Sequence, residues 1–272
     1  WVSLHLGLIE APGLARAPLL WHGHEMFFGF GWAVLGGFLL TATKNWVSIR
    51  GYHGPLLAFL AAAWVVERAG MWFGGAWPPA LFELSNKLFL GSIVAMLLWT
   101  LIRHHQDDSF PDNTFFLIVL PLFLVAKNLL LSVDHFQVGA AMTLGLFRVA
   151  FLVMLERTVT QFMKNAMQAD ILRSAPLDRA IKLLALLLVF VGLLPTQIAP
   201  WLALLLALLL SGRFVFWKPQ LAMRRLDIGI MYLGYLAIVA QLLLQSIEQL
   251  VTPGWLGSLS MHVFTFGAMG LI

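Results

Sequence analysis

Nine runs of roughly twenty mostly apolar residues follow one another along the chain, and a run of that length is what a helix needs to cross a bilayer. They lie near residues 22–43, 54–76, 80–103, 114–134, 136–156, 180–199, 200–217, 226–249 and 256–272. Single charges interrupt the second to fifth, and the seventh is short. Tight links with Pro at the turn, such as Gly75–Pro79 and Thr196–Pro200, separate them. A soluble domain is roughly 25% charged; this chain is 11% charged and 60% hydrophobic, with a mean hydropathy of +0.87. A water-soluble globule, a disordered chain and a nucleic-acid partner are thereby excluded. The expected fold is all-α, a polytopic transmembrane helical bundle in a lipid bilayer. It reads as a single integral membrane domain over residues 1–272. Residues 1–10 read as the tail of an earlier helix, and the chain runs from Trp1 to Ile272 inside an apolar run. The expectation is therefore a fragment truncated at both ends.

The distribution of charge orients the bundle. On the side reached after residue 43, the expected loops hold Lys44, Arg50, Arg103, Arg157, Lys164, Arg173, Arg179, Lys182, Arg213, Lys218, Arg224 and Arg225. The opposite side holds Arg16 alone, and the other four of the 17 Lys and Arg lie inside helices. So strong a bias makes the first side cytoplasmic. Its sizeable loops are expected at 157–179 and 213–226.

No cysteine is present, which removes disulfides, thiolate metal sites, covalent c-type haem attachment and Cys nucleophiles. Metal or haem would have to be held by His, Met and carboxylate. The densest cluster of such groups is Trp21-His22-Gly23-His24-Glu25-Met26, at the outer end of the first full helix. If the helix begins there, His22 and Met26 are i,i+4 neighbours and His24 points elsewhere. Neutral imidazole suits haem iron and copper, and a thioether favours Cu(I). An interfacial belt of Trp and His is the plainer explanation for one such residue; for the whole cluster a site is favoured. His262 is expected near the outer end of the last helix, which enters after Thr252-Pro253-Gly254. A His inside a membrane needs a partner, either a metal or a backbone carbonyl. Gly267 and Gly270 on the same helix would admit a flat ligand or a neighbouring helix.

A second constellation comprises ionisable groups inside helices: Glu67, Arg68, Glu83, Lys87, Lys127 and Arg148. A charge at the bilayer centre costs at least about 2.5–3.5 kcal/mol, so each must pair or line a polar cavity. Glu83 and Lys87 are spaced to pair within one helix. Four cations against two acids leave two positive charges over. The two propionates of a haem would balance them, with Arg68, Lys87 and Arg148 as candidate partners. Snorkelling and polar contacts between helices are the alternative. No nucleotide-binding, HExxH or GxSxG motif occurs.

The run WHGHEMFFGFGWAVLGGFLLTATKNW (Trp21–Trp46) closely resembles the signature of the NnrS family of bacterial membrane proteins. So do ERTVTQFMKNAM (Glu156–Met167), RRLDIGIMYLGYLAIVAQ (Arg224–Gln241) and MHVFTFGAMG (Met261–Gly270), in the same order and over nearly the whole chain. The chain departs from the pattern at Glu156, where Gly is expected, and at Gln161 and Met163, near an expected Pro-Met-Phe. The resemblance implies a roughly twelve-helix protein of the bacterial inner membrane, bearing haem b and copper and protecting against nitrosative stress. Its small ligand would be nitric oxide, and its associates would include respiratory or denitrification complexes. Carried onto this chain by residue type and depth, the metal ligands are His22, His24, His262 and Met26. The resemblance does not specify a reaction. Two other functions stay open: a transporter or channel for a small anion or metal complex, and a haem-bearing subunit of a respiratory complex.

Overall fold

A computed structural model describes residues 2–251 and 256–272, apart from the side chain at position 111. Every regular element among them is helical. Six helices are long and apolar enough to cross a membrane: α1 (Pro18–Trp46), α2 (Pro55–Ala76), α3 (Pro79–Arg103), α5 (Phe136–Met167), α7 (Ala199–Phe216) and α8 (Leu226–Val251). The other three expected spans fall on shorter helices, α4 (Thr114–Leu130), α6 (Ala175–Leu187) and α9 (Leu259–Ala268). At 1.5 Å per residue, α4 reaches only about 25 Å. The 13 residues of α6 tighten into a 3₁₀ stretch at Leu188–Leu193, kinked at Phe190. The chain is a multi-pass helical membrane protein with six such helices among the described residues. The expected nine spans go beyond that.

Proline starts many of these helices, where its missing N–H leaves no bond unmade. Pro18, Pro55, Pro79, Pro176 and Pro200 all stand in first turns. Two compact units divide the chain, Trp1–Ala140 and Ala141–Ile272. In the first, α2 packs on α3 where Gly70 admits Ser85; a Cβ there would lie 2.6 Å from the Ser85 hydroxyl. α3 is also lined by α1 and α4, and Trp32 of α1 meets Phe123 of α4 edge to face at 4.8 Å. In the second unit, α8 packs on α7 and α9. Tyr232 and Tyr235 of α8 donate hydrogen bonds to the carbonyls of Trp217 and Leu210 at 2.6 and 2.8 Å. Gly267 serves a neighbouring helix, since a Cβ on it would sit 2.6 Å from the Cβ of Ala237 in α8.

The expected cytoplasmic loops are shorter than the sequence suggested. Residues 157–167 continue α5, so the loop is 168–174 rather than 157–179. Within 213–226, α7 runs to Phe216 and a single turn occupies Pro219–Ala222. Lys182 and Arg213, counted with the loops, are buried. Their charges are held by carboxylates, as described below, and do not lie in solvent. The entry turn Thr252-Pro253-Gly254 lies outside the described residues. Reporter fusions within 168–174 and after Arg224 are expected to be cytoplasmic, and one in 132–134 exposed on the other side. An external signal from 168–174 would reverse the orientation.

Candidate functional site

Helix α1 changes character at the densest motif. From Glu25 to Gly31 it winds as a π-helix, with His24 at its N-terminal boundary. The same occurs in α9, where Val263–Ala268 is π-helical and His262 is the boundary residue. Both segments carry His-x-x-x-Phe-Gly, His24 to Gly29 and His262 to Gly267. In each, the imidazole lies against the ring four residues on, at 5.8 Å for His24–Phe28 and 5.9 Å for His262–Phe266. These are the two π-helical segments among the described residues, and such segments are frequent at functional sites. The sequence held this signal as a repeated six-residue pattern 238 positions apart, which reading each His separately had not paired.

The two imidazoles have opposite surroundings. His24 is completely buried. Its Nδ1 is 3.3 Å from Glu25 Oε1, and its Nε2 is 3.1 Å from Glu67 Oε1 and 3.2 Å from the Asn86 amide. Glu67 Oε1 also receives the Lys127 ammonium and lies 3.2 Å from Arg68 Nη2. Lys127 donates further to the carbonyl of Asn86. Arg68 Nε stands 3.3 Å from Glu25 Oε2, and only a glycine at position 29 leaves its guanidinium room. The carbonyl of that glycine accepts the Trp64 indole N–H at 2.9 Å. Four helices thus close a buried polar cluster in which each ring nitrogen of His24 is engaged.

His262 is exposed. Its Nδ1–H donates to the Ser258 carbonyl at 2.8 Å, which in the neutral ring leaves Nε2 as the bare lone pair. Phe266 beside it is also exposed. Metal-ligating histidines commonly fix their second nitrogen on a carbonyl in this way. His22 and Met26 are half-buried. Among the described residues, no group of three or more His, Asp or Glu is arranged to hold a metal ion.

The cations sort differently from the arithmetic of the sequence. Lys87 pairs with Glu83 one turn earlier, as its spacing predicts. Glu25, at the helix end and left out of the count, is an acid for Arg68. In the first unit Arg68, Lys87 and Lys127 therefore meet Glu25, Glu67 and Glu83, and these three cations carry no excess over their acids. Arg148 is different. It is buried, its Nη2 lies 3.2 Å from the neutral Gln245 amide oxygen, and its Nε and Nη1 have no hydrogen-bond partner among the described residues. Gln241 donates to the same oxygen at 2.9 Å while its own amide oxygen is unpaired. Neither glutamine was singled out in the sequence, because uncharged residues four apart resemble ordinary polar contacts.

A second ionic cluster, also unforeseen, joins α5, α6, α7 and the loop 168–174 in the second unit. Glu156 receives Arg173, and its other oxygen is 3.1 Å from Lys182. Asp178 lies 3.3 Å from Arg173 and 3.4 Å from Arg213. Glu156 is one of the positions that depart from the resembled pattern, and here it anchors three helices and the loop.

Helices of this length, with histidines at two π-helical boundaries and ion pairs buried between spans, define a multi-pass membrane protein with a polar interior. A family model described as NnrS protein matches residues 1–272. The chain belongs to the NnrS family. No curated protein and no solved structure matches it.

Proposed function

We propose that the protein is a haem-bearing protein of the bacterial inner membrane that responds to nitric oxide and protects against nitrosative stress. Membership of the NnrS family supports the class of function. The observation that carries the cofactor is His262, exposed at a π-helical boundary with Nδ1 pinned and Nε2 bare. His262 would hold haem iron through Nε2, with the exposed Phe266 ring beside it as a flat apolar neighbour. With no cysteine in this sequence, c-type attachment is excluded, and the haem proposed is a non-covalent b type. Such a haem would supply iron chemistry toward nitric oxide, with His262 as the residue that would hold it. The residues do not fit copper as they stand: His24, which with His22 and Met26 would supply its ligands, is held by Glu25, Glu67 and Asn86.

In detergent-purified protein, His262→Ala is expected to abolish the Soret band, while His24→Ala keeps it and loses thermal stability. Full haem occupancy in His262→Ala sinks the assignment. A second reading, a channel or binding protein for a small anion, is favoured by Arg148. An enclosed cation with two donor nitrogens unpartnered among the described residues and a neutral partner is a receptor for negative charge.

A further inference from the structure

The only cation that the sequence puts on the outer side, Arg16, stands at a cavity of about 330 Å³ in the first unit. Its walls come from the first two turns of α3, the last turn of α4 and the link beyond, and the segment before α1. Glu83, Asn86, Lys87, Asn128 and Ser132 supply the other polar groups. Arg16 is held in place from two directions. Its guanidinium lies 4.7 Å over the Phe82 ring, and its Nη1 donates to the Ala15 carbonyl at 3.0 Å. It makes no ion pair among the described residues. Lys87 and Glu83 cancel, so the lining carries one net positive charge, that of Arg16. The amides of Asn86 and Asn128 and the hydroxyl of Ser132 add neutral donors.

We propose that this cavity binds the phosphodiester headgroup of an anionic phospholipid. One net positive charge matches the single charge of a phosphodiester. The volume far exceeds the few atoms of a free oxyanion and suits a headgroup with its glycerol. The place matches as well: the walls are helix ends, where spans reach the headgroup layer, and Phe82 and Leu131 give the cavity an apolar side. Asn86 forms part of the wall while its amide reaches His24, so the headgroup would sit one side chain away from the buried polar cluster.

The test is native mass spectrometry of the full-length protein, purified in maltoside and supplied with phosphatidylglycerol or with a neutral glycosyl diacylglycerol. One phosphatidylglycerol is expected to be retained, and the neutral lipid is expected to wash away. Arg16→Gln should weaken retention about tenfold, as loss of a charge-assisted bond does, while Lys44→Gln, remote from the cavity, changes nothing. Asn128→Leu, an exposed position, should weaken it in the same direction and guards against a folding defect at Arg16. Equal retention by the parent and both cavity variants overturns the proposal. So does thermal stabilisation by inorganic phosphate that phosphatidylglycerol fails to give.

Discussion

Replacing Lys127 with Met is expected to destabilise the protein by about 3 kcal/mol, the lower end of what breaking a buried ion pair costs. Lys127 is buried and donates to both Glu67 and the Asn86 carbonyl. Methionine fills most of the volume but leaves Glu67 with Arg68 and His24 alone. The apparent melting temperature in detergent should fall by roughly 5–10 °C. Adding Glu67→Gln removes the stranded carboxylate, so the double variant should recover part of the loss. That non-additivity separates an ion pair from simple packing. A Lys127→Met protein as stable as its parent would show that the cluster contributes nothing to the fold.

Arg148 should behave in the opposite way. Among the described residues no carboxylate pairs with it, so Arg148→Met strands no buried charge and removes an uncompensated one. Stability is expected to stay level or rise, by up to about 1–4 kcal/mol, while the functional readout is lost. Haem content then separates the two readings of its role. A fall in haem with His262 intact means that the guanidinium serves propionates; full haem with lost anion binding means a small-anion receptor. Loss of several kcal/mol of stability would contradict both, because it would reveal a counter-charge that Arg148 already has.

The helices were legible because the bilayer imposes one length on every span, and apolar runs report that length directly. Their ends were less so. Arg157 and Lys164 look like loop charges in a linear reading, yet α5 runs through both, and Lys164 keeps its charge on the exposed end of that helix. Glu83–Lys87 could be read because both partners share one helix. Glu25–Arg68, Glu67–Lys127 and Arg148–Gln245 could not, because pairing across helices depends on rotation about each axis, which spacing alone does not give. The histidines were flagged by chemistry, but their divergent settings follow from neighbours 43 to 62 residues away for His24 and only four for His262.

The wider winding after each histidine has one more consequence. A π-helical stretch holds a surplus residue compared with the α-helix it interrupts, as a rope clamped at both ends holds slack. Slack in a rod can be passed along its length, and moving it by one residue turns the intervening piece by about 100° while both ends stay clamped. His24 and His262 stand where such a shift would begin. In α1, where α-helix resumes at Trp32, such a shift would re-aim side chains of the Glu25–Gly31 stretch without withdrawing the helix from the membrane.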